Sequence, residues 1–177
     1  MLKDDKNWLQ QPLPGSQPAD LPFLALADTF VSGDSSDHRL SIRYYRRDDN
    51  GALAGKVIFG PGTQGPPAHA HGGSMAALLD EAMGGAAWMA GHPVVAAQLN
   101  ITFRTMLPLG TRCLVSARVV EANGRKIKTT AELHSADGKQ LFCRGEALFV
   151  ILDTEKIEQL SIEAKVIVDR MRDQKER

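Results

Sequence analysis

One stretch of the sequence decides the fold: residues 60–80 read GPGTQGPPAHAHGGSMAALLD. A loop rich in glycine and proline leads directly into an apolar segment, residues 74–90, whose only charged residues are Asp80 and Glu81. A helix that is apolar on nearly all sides is buried. A carboxylate in such a helix is rare unless it is paired, hydrogen-bonded or functional. The stretch therefore predicts a long buried helix with an acidic residue in its wall.

The start of this helix is a candidate binding site. Gly72 and Gly73 leave room for another molecule to approach the unpaired N–H groups of the first helical turn, which can hold an oxyanion or a phosphate. The simpler alternative is that the two glycines only permit a tight turn into the helix, and both roles are compatible. His69 and His71 form a His-x-His pattern, but no third ligand follows at a suitable spacing, so the sequence predicts no metal site.

On both sides of the helix the pattern is typical of β-strands. Asn50-Gly51 predicts a tight hairpin turn between two strands, and short glycine-containing turns separate the strands after the helix, as expected for antiparallel neighbours. The predicted strands cover residues 40–45, 53–59, 94–106, 111–121, 126–135 and 140–152. A single apolar helix beside this much sheet predicts the α+β class, with the helix wrapped by an antiparallel sheet of about five to six strands.

The chain divides into three parts. Residues 1–30, with four prolines, predict an extended arm with a short helix or turn near its end, and Trp8 and Leu9 are candidates to dock on the rest. Residues 31–152 form the main domain. Residues 153–177 predict a C-terminal helix that docks on the parent domain or on a second subunit. Its apolar stripe consists of Ile157, Leu160, Ala164, Ile167 and Met171.

Composition excludes several functional classes. The 177 residues include 21 Lys and Arg against 21 Asp and Glu, so there is no excess of positive charge to attract nucleic acid. No apolar run reaches the roughly 20 residues of a membrane span. Cys113 and Cys143 have no close cysteine or histidine partner in sequence, which predicts buried, reduced thiols. Since the N-terminus also lacks the apolar core of a signal peptide, we expect a cytoplasmic protein.

Taken together, these residues resemble the hotdog-fold acyl-CoA thioesterases, in particular the PaaI-like branch. The resemblance covers residues 53–152. It depends on the Gly-Pro-Pro loop at 65–67, the His-Gly-Gly opening at 71–73, the acid Asp80, small residues later in the helix, and the strand at 98–104 followed by a proline-glycine turn. The arm and the C-terminal segment lie outside it.

The resemblance implies hydrolysis of a thioester to a free acid and coenzyme A, without a cofactor. The Gly72 N–H, at the positive end of the helix dipole, would polarise the thioester carbonyl and hold the developing oxyanion. Asp80 would act as general base on water or as nucleophile through an anhydride, and the sequence does not choose between them. His71 would orient the loop or contact the thioester.

Further positions are implied as substrate contacts. Gly73 lies at the same helix end, Asn100 is a candidate for ordering water, and Arg104 is a candidate for contacting a phosphate of coenzyme A, although an arginine there is as often simply solvated. The chain departs from the pattern at Ala96, where some relatives place a threonine on this strand. If that hydroxyl positions water, this protein uses another group or reacts more slowly.

The spacing of the two main candidates predicts a second subunit. Asp80 follows Gly73 by seven residues, so two helical turns return it to the same face but roughly 10 Å along the axis. One small carbonyl cannot contact both. A two-fold partner whose helix runs antiparallel would place Asp80 of one chain beside Gly72 of the other, so we expect a homodimer with composite sites, and a tetramer of such dimers is a further option.

Two other functional classes remain as alternatives. A non-catalytic acyl-CoA sensor could use the same groove, with Ala96 marking lost chemistry. A hotdog hydratase would need an acid and a histidine placed at an enoyl double bond, and His71 lies outside the helix, which disfavours it.

Overall fold

The computed structural model describes residues 3–19, 21, 24, 29–33 and 36–153. The predicted C-terminal helix therefore lies outside the described residues. In chain order the elements are α1 (Lys3–Gln10), β1 (Ser16–Pro18), β2 (Leu40–Arg47), β3 (Leu53–Phe59), a 3-10 turn (Pro61–Thr63), α2 (Gly72–Met89), β4 (Val94–Phe103), β5 (Arg112–Asn123), β6 (Lys126–Ser135) and β7 (Leu141–Ile151).

The strands form one antiparallel sheet in the order β1-β2-β3-β5-β6-β7-β4. The α+β class, the central helix and the six longer strands are confirmed. The seventh strand is β1, a three-residue edge strand that the count of five to six omits because a proline-rich segment gives no alternating pattern.

Helix α2 forms and ends where its sequence predicts. His71 is the N-cap residue, and its backbone is extended with φ −66° and ψ 138°. At the other end Gly91 takes a left-handed φ of 83°, and its N–H donates to the Trp88 carbonyl at 2.9 Å. Pro93 follows two residues later and prevents any continuation of the helix.

The core lies between α2 and the concave face of the sheet. Leu78, Leu79 and Met83 are fully buried. Gly145 on β7 makes this close approach possible, because a Cβ there would meet the ends of Ile101, Leu79 and Met83 at 2.7 to 3.2 Å. The same contact shows that Ile101 on β4 points toward α2, so Leu99 and Phe103 share its face. The register shift between Ala96 and Gln98 reverses the alternation earlier in the strand.

The N-terminal arm differs from the extended arm that the sequence predicts, since residues 3–10 are helical. The side chain of Lys56 on β3 is almost completely buried and donates to the carbonyls of Trp8 at 2.8 Å and Gln11 at 2.7 Å. Asp5 pairs with Arg112 at 3.0 Å. The residues in each of these pairs lie 45 to 107 positions apart in the sequence, so no local pattern near residues 3–10 predicts the contacts.

Strand β4 is the edge of the sheet nearest the start of α2. It pairs with β7, and its other edge has no partner among the described residues. Large apolar side chains are exposed along it, with Val95 at 48%, Leu99 at 40% and Phe103 at 50% of their full accessible surface. A long edge strand with exposed apolar residues is typical of a surface that pairs with another chain. None of the described helices combines the length and the apolar character needed to cross a bilayer.

Candidate active site

The loop before α2 is held by its own backbone. The His71 N–H donates to the Thr63 carbonyl at 2.7 Å, and the Ala70 N–H donates to the Leu107 carbonyl at 2.8 Å. The His69 ring makes a local contact, in which Nδ1–H donates to the Pro67 carbonyl at 2.8 Å. This network fixes the position at which the chain enters the helix, so the first helical amides have a defined direction.

His71 caps the helix with its side chain. Its Nδ1 accepts the Gly73 N–H at 2.9 Å, and its carbonyl accepts the Ser74 hydroxyl at 2.7 Å. The Gly73 amide is therefore used within the protein, and a Cβ at Gly73 would approach His71 Nδ1 to 2.9 Å. The geometry supports the orienting role predicted for His71 and gives Gly73 a structural part in the same cap.

The Gly72 amide is different, because among the described residues no acceptor takes its N–H. It stands at the positive end of an 18-residue helix. One side of Gly72 is covered by the ring of Phe103: a Cβ at Gly72 would lie 3.3 Å from Phe103 Cζ and 3.5 Å from Cε1. The available amide thus lies beside an apolar ring.

Asp80 lies on the same helix and is partly buried. Its Oδ1 atom is completely shielded from solvent and has no hydrogen-bond partner within the described part of the chain. Burial raises the pKa of this carboxyl above its ordinary value of 3.8. An unpaired buried carboxylate oxygen is costly in a folded protein, so its presence indicates a partner or a function outside the single chain.

The two candidates do not meet within one chain. Asp80 follows Gly72 by eight residues, which at 1.5 Å per residue is about 12 Å along the axis. The hydrogen bond of 3.3 Å from Trp88 Nε1 to the Val94 carbonyl, together with the contact of Phe103 with Gly72, shows that β4 runs antiparallel to α2. At about 3.3 Å per residue of strand, Leu99 lies near the level of Asp80.

Asn100 is separated from this site. It alternates with Ile101, which points toward α2, so Asn100 points to the opposite face of the sheet. There it lines an open groove of about 620 Å³ together with Arg118, Thr130 and Glu146. Because the sheet stands between Asn100 and both Gly72 and Asp80 of the same chain, the structure does not bring Asn100 to these two residues. Its predicted water-ordering role stays a prediction.

Arg104 follows β4 immediately, and it is exposed. Its backbone N–H donates to the Phe142 carbonyl at 2.8 Å, which fixes the chain at this point. Phe103, the preceding residue, contacts Gly72, so the guanidinium is carried on the segment that borders the helix start. The predicted phosphate contact stays a prediction.

Glu81 has a structural environment. Its carboxylate accepts the Tyr44 hydroxyl at 2.9 Å and the Ser32 hydroxyl at 3.2 Å. Burial raises the pKa of Glu81, and the two hydroxyl donors act in the opposite direction. Burial, and secondarily the neighbouring Glu81 charge, raises the pKa of Tyr44. The sequence gives no signal for this network, because its members come from segments 37 and 49 residues apart in the chain.

Replacing Tyr44 by Phe tests that network through its pH dependence. Removal of the hydroxyl leaves Glu81 with one fewer donor, so we expect the folded protein to lose about 1–3 kcal/mol at pH 7. The pKa of Glu81 in the folded state should rise further, so the folded variant binds a proton that the unfolded chain releases. The stability of the variant then decreases as pH rises from the pKa of Glu81 in the unfolded chain to its higher pKa in the folded variant. Urea unfolding at equal protein concentration should therefore show a larger deficit at pH 7 than at pH 4.

A Ser41→Ala variant is a suitable control. It also removes a hydroxyl that donates to a carboxylate, that of Asp37 at 2.7 Å, but this pair does not include Glu81. The network assignment is wrong if Tyr44→Phe has a deficit that does not change between the two pH values.

Comparison with known proteins agrees with this geometry. Residues 68–142 match the model of the Thioesterase superfamily. Residues 68–142 belong to this superfamily. Among curated proteins, the acyl-coenzyme A thioesterase THEM4 of Bos taurus is 36% identical over 133 residues, which are 75% of this chain and 55% of the relative. The acyl-coenzyme A thioesterase THEM5 of Homo sapiens is 30% identical over 138 residues, 71% of this chain and 56% of the relative.

Solved structures place the fold in the same family. The crystal structure of a thioesterase superfamily protein matches with a TM-score of 0.58 and 34% identity over 62% of this chain and 53% of that chain. The PaaI protein of E. coli matches with a TM-score of 0.57 at 17% identity over 64% of this chain and 80% of its own, which shows the fold alone. The resemblance to the hotdog thioesterases is confirmed. The chain spans slightly more than half of the bovine and human relatives.

Proposed function

We propose that this protein is an acyl-CoA thioesterase that releases a free acid and coenzyme A. The observation that carries the proposal is that one helix presents both an available Gly72 N–H and a buried Asp80 oxygen. Neither group has a hydrogen-bond partner in the described chain. Hydrolysis of a thioester needs a hydrogen-bond donor for the developing oxyanion and a carboxylate that acts as base or nucleophile. The names of the bovine and human relatives support acyl-CoA as the substrate.

In this reaction the thioester oxygen accepts the Gly72 N–H, and the helix dipole favours the negative charge that develops there. With Asp80 as base, the carboxylate takes a proton from water, the water oxygen bonds to the carbonyl carbon, and the C–S bond breaks. The thiolate of coenzyme A leaves and receives that proton. With Asp80 as nucleophile, its oxygen bonds to the carbonyl carbon, the C–S bond breaks and the thiolate leaves. Water then hydrolyses the anhydride to the free acid and the Asp80 carboxylate, and the proton released goes to the thiolate.

The site requires two chains in this proposal. A two-fold partner would pair its β4 with the free edge of β4, cover the exposed Val95, and bring the partner subunit's Asp80 opposite Gly72. A homodimer with two composite sites, or a tetramer of such dimers, follows. Arg104, next to the helix start, would meet a phosphate of coenzyme A in this proposal.

We also propose a cytoplasmic location. Cys113 and Cys143 are both buried and unpaired, and burial raises the pKa of each thiol to about 12. Cysteines that remain free thiols are usual in proteins of a reducing compartment such as the cytosol.

The decisive experiment is a panel of acyl-CoA thioesters assayed by release of the free thiol. We expect turnover of at least one straight-chain member well above the spontaneous rate. Binding of acyl-CoA without any turnover would instead support a sensor. Hydration of crotonyl-CoA, followed by loss of enoyl absorbance, would indicate a hydratase, and either result would contradict the proposal.

A further inference from the structure

The ring of Phe103 occupies a position that sequence reasoning does not assign. It ends β4 on the face toward α2, and three ring atoms, Cζ, Cε1 and Cε2, lie 3.3, 3.5 and 3.7 Å from the position that a Cβ on Gly72 would take. Phe103 nevertheless keeps half of its surface exposed. One side of the ring therefore packs on the helix start, and another side is available to a ligand.

The position of the ring relative to the Gly72 amide determines what it can contact. Gly72 is the first residue of α2, and in a helix the N–H and the Cα–Cβ bond both point toward the N-terminus, so the ring end lies beside the N–H direction. A thioester oxygen that accepts this N–H at about 3 Å brings its carbonyl carbon, and the acyl carbon next to it, up to the ring. A phenyl ring offers no hydrogen-bond donor or acceptor, so it favours an apolar group there.

The rest of the edge strand continues this apolar surface. Leu99 lies on the same face as Phe103, because both alternate in step with Ile101. The end of the Ile101 side chain lies, with those of Leu79 and Met83, within 3.2 Å of the position of a Cβ on Gly145. Leu99 is 40% exposed and lies near the level of Asp80. An acyl chain that leaves the carbonyl carbon along β4 would thus meet apolar side chains continuously.

We propose that Phe103 is a specificity-determining residue that selects straight aliphatic acyl groups over acyl groups branched at the carbon next to the carbonyl. The inference rests on the proposed function, since it names the substrate class of that site. A straight chain packs along the ring toward Leu99. A methyl branch at the first carbon needs the space that the ring end already fills beside Gly72.

The test compares octanoyl-CoA and butanoyl-CoA with 2-methylpropanoyl-CoA and 2,2-dimethylpropanoyl-CoA. For the native protein we expect kcat/KM to favour the straight chains by about tenfold or more, since one methyl group in an apolar pocket has effects of this size. In Phe103→Ala the preference should fall by about tenfold, with Phe103→Leu between the two. Val120→Ala, a similarly exposed apolar change on β5, which β6 and β7 separate from β4, should leave the preference unaltered.

A binding measurement separates this proposal from the proposed hydrolysis. S-(2-oxoalkyl)-CoA thioethers keep a ketone oxygen that can accept the Gly72 N–H, and they cannot be hydrolysed. Calorimetry gives the Kd of straight chains and of chains branched next to the ketone, for the native and Phe103→Ala proteins. Turnover with an unchanged preference in Phe103→Ala overturns the assignment of Phe103 and leaves the thioesterase in place. No turnover, with a thioether preference that Phe103→Ala removes, overturns the thioesterase and keeps Phe103 as the selecting residue. Absence of both turnover and thioether binding overturns both.

Discussion

Asp80→Asn should lower kcat by about 100-fold or more while the protein stays folded, because the amide can neither take a proton from water nor attack a carbonyl carbon. The buried Oδ1 atom of Asp80 has no hydrogen-bond partner in the described chain, so the change to an amide breaks no intrachain hydrogen bond at that atom. The free energy of unfolding should therefore not decrease. Stopped-flow or steady-state thiol release, with urea unfolding alongside, measures both quantities.

The pH dependence of activity is a second test of the role of Asp80. Burial raises the pKa of Asp80 above 3.8, and the ionised form is the active one. Activity should therefore decline as pH falls through this raised pKa, and that acid limb should be missing from any residual activity of Asp80→Asn. Glu81→Gln makes the matching change at the next residue, where the carboxylate is held by Tyr44 and Ser32, and should leave kcat within a few-fold of the native value. Near-native turnover in a folded Asp80→Asn protein would remove Asp80 from the mechanism.

Local pattern predicted most of the fold but not which residues meet. Helix α2 and the longer strands follow from periodicity, so their bounds agree with the structure within a few residues. The sequence pattern did not predict which residues of β4 point toward α2, because the strand changes register between Ala96 and Gln98. One extra residue reverses which side chains point toward the helix, and Asn100 consequently lies on the far face.

The remaining omissions are tertiary contacts between segments far apart in the chain. Phe103 reads as one more apolar strand residue until its ring is seen against Gly72. Lys56 reads as an exposed charge in a strand until α1 covers it and supplies two carbonyl acceptors. In both cases the sequence carries the residue type, but the partner that gives it a role lies 31 or more residues away, so only the fold identifies it.

Mixing Asp80→Asn chains with Gly72→Pro chains should restore activity that neither variant has alone. Proline removes the N–H of residue 72 but suits the first position of a helix, and His71 already has the extended backbone that a residue before proline requires. Gly72→Ala is the matched control, since it adds the same Cβ against Phe103 and keeps the amide. It should retain far more activity than Gly72→Pro.

The expected recovery follows from the two-fold symmetry. A mixed dimer has one site with both defects and one with neither, so random exchange of subunits should give about a quarter of the native activity, because half of the dimers are mixed and each has one intact site of two. Unfolding and refolding the chains together ensures exchange, and differently tagged chains allow the mixed dimer to be purified, where the activity should rise to about half. If Gly72 and Asp80 served the same site within one chain, purified mixed dimers would stay as inactive as their parents. An active monomer in analytical ultracentrifugation would contradict the shared site independently, because a single chain holds its amide and its carboxylate about 12 Å apart on one rigid helix.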